Sequence, residues 1–361
     1  MGNRKQELME VEKEQILKKL NPNQIILPVT IGLLVVIGMI FLNGNLNIQQ
    51  IIAHLKKAHW IWIAAAIGVL LARDLGYMMR IRMLTNNLLS WKAAFYIVML
   101  WEFSSAITPS VVGGTAVAVF IINREKIPFG KSLAYVLLTA GLDNLFFVVA
   151  SLTVFLIFPA DIFPNGKNTL SLFGYELPLQ YIFGISAFLI AIYTILMLAG
   201  LLVTPRAFKW VAEKLADFPL LKRWRSDLLE TADDIVLASD MLKEYSIGYW
   251  VKAWLITIFI WSARYGMVNC LVAAFTEIQL YDHFVIFARQ IIMWIIMLIS
   301  PTPGSSGTAE YFFQLFFDHY FPIVGFSIVV ALFWRIFTYY TYLLVGAVVL
   351  PKWLKRVLSD K

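Results

Sequence analysis

Two short strings about 190 positions apart interrupt strongly apolar segments with the same punctuation. Thr108-Pro109-Ser110-Val111-Val112-Gly113-Gly114-Thr115-Ala116 recurs, one residue shorter, as Thr302-Pro303-Gly304-Ser305-Ser306-Gly307-Thr308-Ala309. Proline removes a backbone donor and glycine loosens the chain, so each string ends a helix. The chain is 60% hydrophobic, 15% charged and has a mean hydropathy of +0.74, which marks an integral membrane protein. Backbone broken at membrane depth is tolerated only where it is buried in protein or lines a wet cavity. The two strings therefore predict a duplicated, cavity-lining core.

Ile25–Phe41, Trp60–Met79, Ser132–Phe158, Tyr181–Val203, Trp250–Phe275 and Pro322–Leu350 approach or exceed the roughly 20 apolar residues that cross a bilayer. They predict six spanning helices. Residues 1–24 are charged and helix-forming, and no small-residue cleavage site follows Ile25–Phe41, so the first span is expected to be an anchor, not a removed signal peptide. Cys270, the one cysteine, lies in a span, which excludes an intrachain disulfide and a cysteine-based metal cluster.

The net charge of +7 is distributed as in a membrane protein, not as in a nucleic-acid binder. On the six-span reading, 22 of the 30 Lys and Arg fall on the side of the termini, and only Lys56, Lys57 and Lys167 fall opposite. Both termini are then cytoplasmic by the positive-inside rule.

The segment 93–122 is broken at Thr108-Pro109 and Gly113-Gly114 into arms shorter than a span, with Arg80, Arg82 and Lys92 before it and Arg124, Lys126 and Lys131 after it. It reads as a re-entrant hairpin entering from the cytoplasm. The segment 284–317 is broken at Pro301-Thr302-Pro303-Gly304 and flanked by Glu277, Asp282 and Asp318, so it should enter from the opposite face. Arg73 lies 36 residues before Pro109 and Arg264 39 before Pro303, while Asp143 follows Pro109 by 34 and Arg335 follows Pro303 by 32. The fold class that follows is an all-α polytopic membrane protein with six transmembrane helices, two oppositely oriented re-entrant helical hairpins and an inverted repeat. Such repeats commonly place a substrate site near the midplane where they meet.

The organisation is a cytoplasmic N-terminal segment (1–24), a first membrane half (25–203) with hairpin 93–122, a connector (204–248), a second half (249–350) with hairpin 284–317, and a cytoplasmic tail (351–361). The connector alternates apolar residues such as Phe208, Val211 and Leu215 with charges and is broken at Pro219, which predicts amphipathic helices on the inner leaflet surface. Its cluster Lys222-Arg223-Trp224-Arg225 reads as a positive-inside loop or a contact for anionic headgroups.

Arg73, Asp74, Glu102, Asp143, Arg264, Arg289, Glu310 and Arg335 lie deep in the predicted spans or hairpins. A single central Arg or Asp costs roughly 2.5 to 3.5 kcal/mol on insertion scales, so these residues must face one another, water or a charged ligand. Pairing would join, for example, Asp143 to Arg335, and Arg73 or Arg264 to Glu102. Alternatively the arginines hold a phosphate, whose oxygens suit the guanidinium fork. The broken tips add amide and hydroxyl donors from Thr108, Gly113, Gly114, Thr115, Thr302, Gly304, Ser305, Ser306 and Gly307. The candidate substrate-binding set is these residues with Arg73, Arg264, Arg335, Asp143, Glu102 and Glu310; no catalytic residue, metal or cofactor is expected.

At these residues the chain resembles the transmembrane, flippase-like part of lysylphosphatidylglycerol synthases and its stand-alone relatives. The resemblance runs from about Arg80 to Gly346: Arg80-x-Arg82, Pro109-x-x-x-Gly113-Gly114, Asp143 in the following span, the string from Pro301 to Glu310, and Arg335. It implies translocation between leaflets of an anionic or modified phospholipid or a polyprenyl-phosphate lipid. Many relatives have Glu soon after the first glycines, where this chain has Thr115 and Ala116. The chain ends at Lys361, which leaves no room for the soluble aminoacyl-transfer domain and predicts a stand-alone member that is not an enzyme. Expected partners are membrane lipids, with a separate lipid-synthesising enzyme and a second copy of the chain as candidates, and no nucleic acid. The expected location is the bacterial cytoplasmic (inner) membrane.

Rival readings are weaker. Gly304-Ser305-Ser306-Gly307 matches the Gly-x-Ser-Gly of rhomboid proteases, but His54, His59, His283 and His319 all fall in outer loops or at their edges, away from where a serine would need a base. No Asp-rich or His-rich spacing supplies the metal site of a lipid-modifying transferase. A secondary transporter of a small anionic solute or ion would use the same broken-helix plan and is the main alternative.

Overall fold

The computed structural model describes residues 48–108, 111–164, 169–172, 175–217, 225–297 and 307–359, together with Thr30 and Gly38. In chain order these form α1 (Ile48–Leu55), α2 (Trp60–Leu84), α3 (Trp91–Ile107), α4 (Val111–Arg124), α5 (Phe129–Ile157), strands β1 (Thr169–Leu172) and β2 (Tyr175–Pro178), α6 (Leu179–Leu198), α7 (Pro205–Ala216), α8 (Arg225–Lys243), α9 (Ile247–Phe275), α10 (Leu280–Met297), α11 (Thr308–Phe317), α12 (Phe326–Arg335) and α13 (Thr341–Ser359). A π-helical turn, Ile336–Tyr340, joins α12 to α13.

Local chemistry starts these helices. Ser90 and Ser246 cap α3 and α9, each hydroxyl accepting an amide proton from the first turn, Ala93 at 3.1 Å and Tyr249 at 3.4 Å. Asn86 and Asn87 reverse the chain between α2 and α3 at positive φ, a region asparagine tolerates. The lipid side is equally direct: Tyr181, Ile185, Phe188, Ile192 and Ile195 form an exposed apolar stripe along α6 at helical spacing.

At the centre α2 and α9 run antiparallel along their whole length. The His59 amide donates to the Ala274 carbonyl at 2.8 Å, Arg80 to the Thr257 hydroxyl at 3.1 Å, and the Tyr249 hydroxyl to the Met83 carbonyl at 3.3 Å. Around this pair, α13 lies antiparallel to α3. The Tyr339 hydroxyl donates to the Ala106 carbonyl at 3.1 Å, and Arg356 stacks over Tyr96 at 4.7 Å. Gly114 brings α4 hard against α3, where an added Cβ would lie 2.2 Å from the Ser105 hydroxyl oxygen and 3.0 Å from its Cα. Just beyond α4, Glu125 accepts from the Trp353 indole at 2.9 Å and pairs with Arg356. The start of α3 and the end of α4 thus meet the same residue of α13.

The other helix pair is tied in a similar way. Arg289 of α10 donates to the Phe316 carbonyl at the end of α11 at 3.0 Å, and to the Asp161 carbonyl at 2.7 Å. Tyr281 at the start of α10 donates to the Asp161 carboxylate at 2.7 Å.

Among the described residues six helices are long and apolar enough to cross a membrane: Trp60–Leu84, Phe129–Ile157, Leu179–Val203, Ile247–Phe275, Leu280–Met297 and Phe326–Val357. Five of these overlap expected spans; the expected Ile25–Phe41 lies outside the described residues except for Thr30 and Gly38. The sixth, α10, falls in the first arm of the segment read as a hairpin, 284–317, and at 18 residues is also long enough to cross. It begins earlier than its apolar run because Asp282 accepts the Gln279 amide proton at 2.9 Å, which completes the first turn around a charged residue.

Three other details depart from the sequence reading. A small antiparallel hairpin, with Thr169 opposite Pro178 and Leu172 opposite Tyr175, interrupts the all-α plan. Arg80, expected in a basic loop, is 1% exposed inside α2 because Asp143 is there to neutralise it. The connector's α8 does not simply lie on a leaflet surface: Ile235, Ala238 and Leu242 pack with Leu138 and Leu142 of α5 in one apolar cluster.

Candidate functional site

Six of the charged residues that are too costly to leave in lipid, Arg73, Asp74, Glu102, Arg264, Glu310 and Arg335, gather in two places. The first is built on α2, α3 and α9. Arg73, fully buried, donates to the adjacent Asp74 at 2.8 Å and reaches Glu102 at 3.4 Å. Glu102 also meets Arg264 at 3.3 Å, and the Tyr77 hydroxyl lies 3.4 Å from Arg264. Tyr342 donates to both oxygens of Asp74 at 2.8 and 2.7 Å, and its ring lies 4.7 Å from the Arg73 guanidinium. Glu102 therefore bridges arginines from the two antiparallel central helices.

The second cluster is at the start of α11. Gly307 has φ 87°, a backbone state that favours glycine. Its amide donates to Glu310 Oε2 at 2.7 Å, while Glu310 Oε1 lies 3.1 Å from Arg335 Nε. Arg335 is also 4.0 Å from the Tyr339 ring, a cation-π contact made possible by the π turn that begins beside it.

Between the clusters is a cavity of about 200 Å³, walled by Glu102 and Ser105 of α3, Arg264 and Tyr265 of α9, Gln290, Met293 and Trp294 of α10, Trp334 and Arg335 of α12, and Thr338 and Tyr339 of the π turn. This is room for a headgroup-sized polar ligand, below the usual range for sites that engulf a drug-sized molecule. The Tyr265 hydroxyl is buried without a hydrogen-bond partner among the described residues, an arrangement that ordinarily costs stability unless water or a ligand satisfies it. Around the cavity three arginines (73, 264 and 335) face three carboxylates (74, 102 and 310).

The candidate residues divide clearly. Arg264, Glu102 and Arg335 line the cavity, while Arg73 and Glu310 lie behind them as ion-pair partners. Asp143 stands apart: both its oxygens pair with Arg80, at 2.9 Å for one, and Trp261 donates to it at 2.7 Å. The illustrative Asp143–Arg335 pairing gives way to Arg80–Asp143 and Arg335–Glu310, since each arginine has a carboxylate within its own half. Thr108 ends α3 with its hydroxyl on the Ser104 carbonyl at 2.8 Å. Gly113, Gly114 and Thr115 lie in the first turns of α4, with Gly114 serving the close approach to Ser105. Thr302, Gly304, Ser305 and Ser306 lie outside the described residues.

The sequence reading missed the aromatic half of the site. Tyr77, Tyr265, Trp294, Trp334, Tyr339 and Tyr342 supply hydroxyls and ring faces to the arginines or the cavity wall. Their signal was the run Trp334-Arg335 followed by Tyr339-Tyr340-x-Tyr342, which is inconspicuous in a chain so rich in aromatic residues.

The sequence matches the family described as the lysylphosphatidylglycerol synthase TM region over residues 29–346, most of the chain. The chain belongs to this family. A UPF0104 membrane protein from Archaeoglobus fulgidus is 28% identical over 313 residues, covering 81% of this chain and 87% of the relative. Family membership thus extends upstream of the motifs beginning at Arg80. All the cavity-lining residues named above fall within the matched range.

Proposed function

We propose that this family member is a lipid translocase that passes the headgroup of an anionic or modified phospholipid, or of a polyprenyl-phosphate lipid, between leaflets through the polar cavity while the acyl chains stay in lipid. The observation that carries this reading is a headgroup-sized cavity, within a lipid-facing helical bundle, presenting Arg264 and Arg335 from different spanning helices beside Glu102. Both guanidinium groups suit phosphate oxygens, and Ser105, Gln290 and Tyr265 supply neutral polar groups.

Two further features support an inverted repeat with re-entrant hairpins. The helices carrying Arg73 and Arg264 are antiparallel, as equivalent members of inverted repeats must be. The outer ends of α3 and α4 converge on Arg356, and α10 is tied to the outer end of α11 through Arg289. Rocking of one half against the other would switch the cavity between leaflets. The protein acts as a transporter and not as an enzyme, in the cytoplasmic membrane with both termini inside, and its partners are membrane lipids, with a lipid-synthesising enzyme or a second copy as further candidates.

A small anionic solute would fit the same charges, and one assay separates the two. Proteoliposomes holding the full chain are tested for leaflet exchange of headgroup-labelled phosphatidylglycerol and for uptake of labelled inorganic phosphate. Lipid exchange without phosphate uptake is expected; uptake without exchange would overturn the lipid reading.

A further inference from the structure

We propose that Glu310 is the resident anion of the site, the group that a substrate phosphate displaces from Arg335, and that it takes up a proton when displaced. This rests on the translocation reading and assigns the residue that couples the headgroup to protons.

The geometry carries the argument. The Glu310 side chain is fully buried in the first turn of α11, and its two oxygens divide their work. One accepts the Gly307 amide at 2.7 Å and the other lies 3.1 Å from Arg335. A backbone amide at a helix start together with a guanidinium is the donor set a phosphate would take. Arg335 also borders the cavity, so a phosphate entering there would compete for a cation that already has an anion.

Glu102 is the harder carboxylate to displace. Among the described residues, Arg73 and Arg264 hold it from two helices, at 3.4 and 3.3 Å, whereas Glu310 is within ion-pair distance of one arginine. Because, among the described residues, three arginines around the cavity are already matched by three carboxylates, an arriving phosphate adds an uncompensated negative charge to a low-dielectric interior. Protonation of the displaced Glu310 by a proton from water restores the balance, with no bond to carbon or phosphorus made or broken.

The titratable groups around this exchange are few. Arg335 of α12 and Tyr339 and Tyr340 of the π turn face Glu310 or its partner. Across the cavity stand Glu102 of α3 and Arg264 and Tyr265 of α9, while Gln290, Met293, Trp294 and Met297 of α10 carry no titratable group. The Tyr265 hydroxyl, which has no hydrogen-bond partner among the described residues, is a further donor in the same space.

The test measures binding of short-chain phosphatidate and, separately, inorganic phosphate to the full chain in phosphatidylcholine nanodiscs. Glu310→Gln removes the competing charge and should bind phosphatidate about tenfold more tightly or better, with a flatter dependence on pH than wild type. Unchanged or weaker binding by a variant that keeps its melting temperature overturns the role of Glu310. Should the variant fail to fold, proton uptake by the wild-type protein decides the question with short-chain phosphatidylglycerol as the probe, because a phosphodiester has no second proton of its own to release: about one proton per lipid bound is expected in weak buffer, and none overturns the proposal. If wild type and variant alike fail to bind either probe, it is the translocation reading that falls. Tightening of inorganic phosphate alone in Glu310→Gln would keep Glu310 as the competing anion and replace the lipid with a soluble anion.

Discussion

The two interrupted helix pairs, α3 with α4 and α10 with α11, are secured by different chemistry at both ends. At the outer end of the first pair an ion pair joins Glu125 to Arg356, with Trp353 donating to the same carboxylate. Beside the outer end of α11, Arg289, midway along α10, is 4% exposed and, among the described residues, has no carboxylate within ion-pair distance; it donates to two carbonyls and, at 2.8 Å, to the His319 imidazole. The inner ends differ as well. The first turns of α4 carry only small or neutral groups at Gly113, Gly114, Thr115 and Ala116, whereas α11 begins with Gly307 and the buried Glu310. Charge is placed differently in the two pairs: α4 begins with small, neutral residues packed against α3, whose Glu102 faces the cavity, whereas α11 begins with Gly307 and the buried Glu310 beside Arg335.

The sharpest way to break this contrast is to remove its charge. Arg335→Gln leaves Glu310 buried without its ion-pair partner and should cost about 3 to 5 kcal/mol of stability. Adding Glu310→Gln should recover most of that loss in thermal unfolding while lipid exchange stays abolished; recovery of both would mean that Arg335 is merely structural. Gly114→Val tests the packed wall. Its new side chain meets Ser105 at once, so a loss of about 1 to 3 kcal/mol is expected from overpacking, and a stability equal to wild type would show that α4 can move away freely.

The outer ends should give smaller effects. Arg356→Gln breaks a pair that is partly solvent-exposed, and since the Trp353 bond to Glu125 survives, about 1 kcal/mol is expected in thermal unfolding. His319 should show a pH signature that the Glu125 end lacks. Burial, reinforced by Arg289, pulls its imidazole down to about 4 from the ordinary 6.5. The neutral ring thus contributes stability that is complete above pH 6.5 and is lost as pH falls through 4. The loss should be on the order of 1 kcal/mol or less after solvent screening, and it should be absent from the melting curves of His319→Gln.

Much of this was legible because bilayer chemistry limits the choices. Length and hydropathy found five of the six candidate spans, and the rule that charges avoid lipid singled out Arg73, Glu102, Arg264, Glu310 and Arg335, which the structure gathers around one cavity. Partner choice was not legible. Arg80 sits at a span's end, where a basic residue normally marks the water boundary, and only the arrangement of three helices reveals that it neutralises Asp143. The π turn also left no trace in periodicity, because one extra residue per turn over Ile336–Tyr340 shifts the hydrophobic pattern too little to read. Asp282 misled in the other direction: a charge that caps a helix looks like a loop residue.

The central claim is that two broken hairpins enter from opposite faces and frame one polar cavity. Membrane-impermeant thiol labelling tests it in vesicles of known orientation, with single cysteines at Lys92, Lys126, Gln279 and Asp318 in a Cys270→Ala background. Lys92→Cys and Lys126→Cys should react from one face, and Gln279→Cys and Asp318→Cys from the other. Reaction of Lys92→Cys and Lys126→Cys from opposite faces would mean that α3 and α4 together make one continuous crossing, and would contradict the account.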